Sequence, residues 1–478
     1  MKTAHRLALG LATVALWRTA SDVAAATPTP SSPGREVALA PQPLATAGAP
    51  ELPAELRKPG ATLTLAQVVD IALGNSPLTR TSYRRARSAA ADLGSQRGAY
   101  FPDIDLGASL ARLRQPASDG SGDVTLTAYG PSLTLTYLLL DFGGREGKIE
   151  EARQALLAAD WSHNATLHDV ALAAQEAYFL YLDAKALLEA ARTTLTQAQA
   201  SLDAANVRHD AGVATIADVL QARTALAQAQ LDAAGLEGQA LAVRGALATA
   251  MGLRADIAFD VGSLPSEVPL ERARPALDQL IESARLRRPD YAELRALAAK
   301  SAAHVGTVRA EGWPRLSLQA GVERNYIDSG LLTAHHDSWS AGMQLSLPLF
   351  HGLSPTYDLR RAREDAAAAK AQAEGYEQQV VLQVWTSYYA LETASQRVRT
   401  SLALLESATQ SEQVALGRYK EGVGTVLDLL SAQAALAGAR AQEIQARSDW
   451  FVAAARLAHD AGALVPSEEI AVVTEEKK

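Results

Sequence analysis

Strict alternation of apolar and polar positions marks four stretches of the chain. Ile104, Leu106, Ala108 and Leu110 fall on one side of a period of two, with Asp103, Asp105, Gly107 and Ser109 on the other. Leu133, Leu135, Tyr137 and Leu139 oppose Thr134 and Thr136. The pattern returns in Leu316, Leu318, Ala320 and Val322 against Arg315, Ser317, Gln319, Gly321 and Glu323. It returns again in Met343, Leu345, Leu347 and Leu349 against Gln344, Ser346 and Pro348. Successive side chains of a strand point to opposite faces, so each stretch predicts a strand with one apolar and one polar side. Such strands suit either a half-buried sheet in water or a membrane barrel with a wet lumen.

The rest of the pattern is helical. Lys148 to Arg208 contains neither Pro nor Gly and is dense in Ala, Leu, Gln, Glu and Arg, all of which favour helix. At 1.5 Å per residue this one element spans roughly 90 Å. A returning helix is predicted from about Thr215 to Ala250, broken at Met251-Gly252. Pro355 to Arg418 and Thr425 to about Ala463 repeat the pair. Shorter helices precede each set of strands, at Leu65 to Leu73 and about Leu78 to Arg97, then at Ala276 to Ala284 and Pro289 to Glu311. Helices this long cannot be the interior of a globule. They must lie side by side and bury narrow seams of Ala and Leu.

The two sets are copies of one another. At an offset of 212, Pro77 and Phe101-Pro102 return as Pro289 and Trp313-Pro314, and the first strand of each set matches position for position. Later the offset is 210: Ala152-Arg153 matches Ala362-Arg363, Tyr178 matches Tyr388, and RHDAGVATIADVLQARTAL (Arg208 to Leu226) matches RYKEGVGTVLDLLSAQAAL (Arg418 to Leu436). The change of offset falls between about Leu110 and Leu133, around the polar run QPASDGSGD (Gln115 to Asp123). Insertions are tolerated at hairpin tips, so a tip is predicted there. A period near 210 is far too long for a solenoid unit. The chain therefore divides into one structural repeat at 63–252 (strands about 101–142, long helices about 144–250), a connection at 253–275, and a second repeat at 276–463 (strands about 313–350, long helices about 355–463).

Composition sharpens this outline. The 478 residues include no Cys, which excludes disulfides, thiolate metal sites, a catalytic thiol and a cysteine-linked lipid anchor. A net charge of −8 gives no electrostatic footprint for nucleic acid. Only 5% of residues are aromatic, which argues against several compact cores and for closely approaching helices. Residues 1–26 read as an export signal: Lys2, His5 and Arg6, then the apolar Leu7 to Trp17, then Ala24-Ala25-Ala26 before the cut. Residues 27–62 form a Pro/Ala-rich linker and 464–478 a polar tail. Export without a membrane-spanning helix leaves the bacterial outer membrane as the natural bilayer. The strands' polar sides carry Asp, Glu, Gln and Arg, and Tyr100-Phe101, Tyr137 and Trp313 stand near strand ends, where interfacial aromatics belong. Four strands cannot close a barrel, because the smallest need ~8. Open edges are not tolerated in lipid, so a membrane-spanning chain must be completed by other copies of itself.

Taken together, these residues resemble the TolC-type outer membrane factor family of outer-membrane efflux proteins. The resemblance is carried by the duplicated R-x-x-x-G-x-x-T-x-x-D-x-L elements (Arg208 to Leu220 and Arg418 to Leu430), the Phe-Pro and Trp-Pro starts of the strands, and LLLDFGGR (Leu138 to Arg145). It covers about Leu63 to Ala463. It implies a mainly α chain with β hairpins, assembled as a homotrimer whose 12-stranded outer-membrane β-barrel continues into a long periplasmic α-helical barrel. The implied partners are sister copies, outer-membrane lipid, a periplasmic adaptor (membrane fusion) protein and an inner-membrane pump, with no cofactor. The implied function is passive conduction in a tripartite efflux or type I secretion system.

A conduit needs no catalytic group, and no constellation here supports an enzyme. His163 and His168 are five apart and do not share a helix face as an i,i+4 metal pair would. His335-His336 fall in a predicted loop, Tyr326 to Ser338, with no carboxylate cluster at ligand spacing. Tyr178, Tyr181, Trp385, Tyr388 and Tyr389 read as helix packing. The informative places are the two helical hairpins. Gly212 and Gly422 suit a left-handed turn, Thr215 and Thr425 suit N-caps, and Asp218 and Asp428 stand three residues on, where a carboxylate favours a helix N-terminus. Capping alone explains these residues. The resemblance adds that Arg208, Gly212, Thr215, Arg418, Gly422 and Thr425 form adaptor-docking tips, and that Asp218, Asp428, Tyr419 and Ser431 ring a cation-sensitive periplasmic gate. Gly424 and Ser431 depart from relatives that carry a latching Arg and a second carboxylate at these places. The rival reading is a structural periplasmic coiled-coil or adaptor protein without a barrel. The 22 residues from Arg254 to Pro275 are too few for an adaptor's β-rich module.

Overall fold

The computed structural model describes residues 62–116, 122–270, 276–328 and 333–463. The export signal, all but the last residue of the linker, and the polar tail lie outside the described residues. In chain order the elements are β1 (Thr62–Leu63), α1 (Leu65–Asn75), α2 (Pro77–Gly98), β2 (Asp103–Pro116), β3 (Asp123–Leu140), α3 (Gly144–Asp210) and α4 (Ile216–Ala250). There follow β4 (Asp260–Val261), α5 (Leu277–Arg287), α6 (Pro289–Ala310), β5 (Arg315–Asp328), β6 (Thr333–Ser346), α7 (Ser354–Lys420) and α8 (Val426–Asp460).

The duplication holds to the residue. Corresponding helices have equal lengths in the two halves, 11, 22, 67 and 35 residues. β2 and β5 end at Pro116 and Asp328, still on the first offset, and β3 and β6 begin at Asp123 and Thr333, already on the second. The extra residues of the first half therefore sit at the hairpin tip, as the polar run predicts. Helix α3 starts at Gly144, four residues before the run free of Pro and Gly begins at Lys148. Phe142 (φ 50°) and Gly143 (φ 95°) adopt left-handed conformations that turn the strand directly into the helix. The Asp141 carboxylate accepts the Arg145 N–H at 2.5 Å, satisfying one of the first-turn donors. At the other end, α8 stops three residues before the expected Ala463, where Gly462 turns left-handed (φ 85°).

The four long strands form one antiparallel sheet in the order β2-β3-β5-β6, so the two halves meet at β3 and β5. Register aligns the apolar sets: Leu106 faces Leu133, Leu133 faces Val322, and Val322 faces Trp339. One face is therefore apolar across all four strands, and it is bare: Leu106 is 80% exposed, Trp339 79% and Met343 72%. Within the single chain, none of the described residues covers that face as a half-buried sheet would require. Strands β2 and β6 are free edges. At the ends nearest the helices, Phe142 stacks on Trp313 at 5.3 Å and Arg145 lies over Tyr100 at 5.0 Å.

Two strand boundaries differ from expectation. His335 and His336 are not in a loop. They lie within β6, paired with Tyr326 and Asn325; residues 329–332, between the two strands, lie outside the described residues. In His-His-Asp-Ser both faces are polar, so alternation leaves no trace. Likewise β3 begins ten residues before Leu133. There Gly130 and Pro131 interrupt the ladder to β5, which pairs Tyr129 with Tyr326 and resumes at Ser132 with Glu323. Pro131 has no N–H to donate, and a Cβ on Gly130 would stand 1.8 Å from the Arg324 carbonyl oxygen.

The helices form a wall in which α3 is shared. It packs on α2 and α4 of its own half and on α6 and α8 of the other, while α7 packs on α5, α6 and α8. Alanines line these seams, among them Ala152, Ala158, Ala171, Ala174, Ala184, Ala198 and Ala205 of α3. Gly147 of α3 lets α6 approach so closely that a Cβ would stand 2.6 Å from the Thr307 hydroxyl and 3.1 Å from its backbone. The main apolar core lies partway down the wall. There α1 and the parallel β1-β4 pair close over Phe179, Leu182, Leu247, Met251, Trp450 and Phe451. Tyr178 and Tyr181 are buried as expected of packing residues, but Trp385 and Tyr389 are exposed within the chain.

Candidate functional site: the tips of the helical hairpins

Each long helix turns back through the same short device. The helix ends on a glycine in the left-handed region, Gly212 (φ 72°) or Gly422 (φ 78°). The next N–H closes the turn onto a helix carbonyl, Val213 to Arg208 at 2.9 Å and Val423 to Arg418 at 3.0 Å. Thr215 and Thr425 then cap the return helices in full capping boxes. The Asp218 carboxylate accepts the Thr215 N–H at 2.8 Å, and the Thr215 hydroxyl accepts the Asp218 N–H at 3.3 Å. The Thr425–Asp428 box repeats this at 3.1 and 3.2 Å. Hydrogen bonds from Thr425, side chain first and backbone next, hold the Asp428 carboxyl below the usual carboxylate range, with help from the Arg418 charge. Each tip thus holds a carboxylate in its capping box, exposed at Asp428 and half-buried at Asp218.

The two tips of one chain are tied together. The Arg208 guanidinium donates to the Tyr419 carbonyl at 2.9 Å and lies over the Tyr419 ring at 4.8 Å. Tyr419 is buried among Val426 and Leu429, which pushes its phenol pKa up against the opposing pull of Arg208. Sequence alone assigns Arg208 and Tyr419 to different roles and gives no sign that they touch. Arg418, Ser431 and Gly424 do not join this tie: Arg418 and Ser431 are exposed. Gly424 is tightly placed, since a Cβ there would come within 3.1 to 3.2 Å of Arg418 and the Tyr419 nitrogen.

A second polar group escapes sequence reasoning. Where α3, α6, α7 and α8 converge, a cavity of about 270 Å³ is lined by His168, Asp169, Arg288, Asp290, Tyr376, His459 and Asp460. Arg288 is buried and pairs with Asp290 at 2.5 Å. His459 bridges Asp169 and Asp460, each at 3.1 Å. Burial disfavours the imidazolium, but the two carboxylates outweigh it and push His459 up to about 9. Its only trace in the sequence is the charged helix junction Arg287-Arg288-Pro289-Asp290, whose counterpart in the first half is the neutral cap Ser76. His163 lies elsewhere, with Nδ1 2.8 Å from the Ser82 hydroxyl. Among the described residues no group of three or more His, Asp or Glu is placed to hold a metal ion, and no helix is long and apolar enough to cross a membrane.

Comparison with known proteins places this architecture. The chain is 29% identical over 385 residues to protein CyaE of Bordetella pertussis, covering 80% of each chain. It is 30% identical over 387 residues to the solvent efflux pump outer membrane protein SrpC of Pseudomonas putida, covering 77% of this chain and 78% of that one. Among solved structures, a membrane protein from Pseudomonas aeruginosa superposes with a TM-score of 0.74 at 27% identity, over 83% of this chain and 93% of that one. The family model described as outer membrane efflux protein matches twice, at residues 68–253 and 280–463, one match to each structural repeat. The chain belongs to the outer membrane efflux protein family.

Proposed function

We propose that three copies of this chain close a twelve-stranded barrel in the outer membrane and continue it as a helical tunnel through the periplasm, passively conducting substrates delivered by a periplasmic adaptor and an inner-membrane pump. The observation that carries this reading is the bare sheet. Its apolar face is exposed on all four strands and both of its edges are unpaired. In lipid the face is an asset and the edges are not allowed, so sister copies must pair β2 with β6. The rigid 67-residue helices then reach roughly 100 Å from the barrel. The domain boundaries follow from the same reading: signal 1–26, linker 27–62, repeats 63–252 and 276–463 joined by 253–275, and tail 464–478.

At the far end the tips around Arg208, Gly212, Thr215, Arg418, Gly422 and Thr425 would receive the adaptor's own hairpins. Asp218 and Asp428, present in three copies each and held in place by their capping boxes, would ring the entrance beside Tyr419 and Ser431. Carboxylates brought near a common axis attract cations. The test is electrical. Purified chain in a planar bilayer should conduct, multivalent cations added on the periplasmic side should block it, and Asp428→Asn should relieve that block several-fold. A chain that stays monomeric in plain buffer and does not conduct would sink the reading.

A further inference from the structure

The duplication makes the contact inside one chain a template for the contact between chains. Along the seam joining the halves, Phe179 of α3 stacks on Phe451 of α8 at 5.0 Å. Nearer the tip the Ser201 hydroxyl donates to the Gln433 side chain at 3.2 Å. At the tip Arg208 seats on Tyr419. Shifted by the repeat offset, these pairs become Tyr389 with Leu241, Ser411 with Arg223, and Arg418 with His209. In the single chain all six of those residues are exposed: Tyr389 is 45% exposed and Leu241 55%, where Phe179 is 6%. The flank of α7 that carries Tyr389, Ser411 and Arg418 has, within the chain, no counterpart of the α3–α8 contact.

We infer that α7 of one copy docks against α4 and the α3 tip of the next copy in this register. Tyr389 packs on the partner's Leu241, Ser411 meets the partner's Arg223, and Arg418 seats on the partner's His209. This rests on the trimer proposed above and adds its residue pairing. Two features support a second copy as the occupant. All six residues stand exposed in the single chain, and α7 makes no contact within it equivalent to that of α3 on α8. Each predicted pair is also chemically sound: an aromatic ring on an aliphatic side chain, a hydroxyl accepting from guanidinium, and a guanidinium against an imidazole and the His209 carbonyl, which accepts the Gly212 N–H and keeps a second lone pair. The pairing is not a strict copy. Leu241 and His209 are smaller than Phe451 and Tyr419, so the seam between copies buries less than the seam within one.

The absence of Cys makes the register directly testable. In the full chain, Tyr389→Cys with Leu241→Cys, and Arg418→Cys with His209→Cys, treated in membranes with a short bifunctional thiol reagent, should give covalent dimers and trimers on a boiled gel. Tyr389→Cys with His209→Cys is the mismatched control, since 389 and 418 lie roughly 44 Å apart along α7. It should give monomers. An unboiled sample of each variant reports whether three copies assembled. Trimers whose matched pairs stay unlinked, or link no better than the mismatched pair, would overturn the register and leave the trimer standing. Failure of every variant and of the parent chain to run as a trimer would overturn the trimer and the register with it.

Discussion

At the scale of single residues, charge does more than hydrophobicity to distinguish the two halves. His459 is raised to about 9 by Asp169 and Asp460 despite burial. A base whose folded pKa exceeds its ordinary value of ~6.5 contributes stability that is complete below 6.5 and lost as pH rises through the folded value. The melting temperature of the helical portion, followed by circular dichroism, should therefore fall between about pH 6.5 and pH 9. His459→Gln should be less stable at pH 6 and nearly flat across that window. Asp183 works the other way. Burial and then the nearby Asp449 raise it to about 6, so its ionisation opposes folding at neutral pH. Asp183→Asn should raise stability at pH 7.5, by about 1 kcal/mol after solvent screening of this partly exposed carboxylate, and little at pH 4. The caps give a third expectation. Thr425→Ala removes the acceptor for the Asp428 N–H and should cost about 1 kcal/mol, seen as faster amide exchange in the first turn of α8.

At the scale of elements, the close approaches set the geometry. Gly147 sits against Thr307 where α3 meets α6 just below the sheet. Gly147→Val would force the two helices apart by more than a side-chain adjustment can absorb, because the backbone of Thr307 is itself in the way. Heat-resistant assembly on unboiled gels should be lost, while Gly306→Val on α6, which has open space, should keep it. How much of this was legible in the sequence depends on the kind of signal. Helices were legible because long runs without Pro or Gly carry a propensity that sums over dozens of residues. The strands were legible where apolar residues marked alternate positions in one phase; the start of β3 alternates in the opposite phase (Val124, Leu126 and Ala128 against Thr125 and Thr127), and the His-His stretch of β6 does not alternate at all. The turn glycines and Thr-Asp caps were legible because local chemistry alone dictates them. The Arg208–Tyr419 tie joins residues 211 positions apart and His459–Asp169 residues 290 apart, and no local pattern encodes such pairings.

At the scale of the whole molecule, one face of the sheet must meet lipid and the other water, and substitution can tell which. A row running through Leu106, Leu133, Val322 and Trp339, with Met343 beside it, forms the apolar side, while Thr134, Gln319, Ser340 and Gln344 belong to the other. Arg placed on the lipid side of a barrel near the bilayer midplane costs ~2–4 kcal/mol, and almost nothing on the lumen side. Assembly of three copies triples the cost, because every protomer carries the change. Met343→Arg should therefore cut the yield of heat-resistant trimer in the outer-membrane fraction sharply, and Leu106→Arg should do the same from the opposite edge of the sheet. Ser340→Arg, on the neighbouring strand positions but facing the lumen, should assemble at nearly the parental level and alter only conductance. Equal losses from both faces would mean that the sheet packs against protein on both sides. The bare apolar face would then be a covered core, and the barrel would not exist.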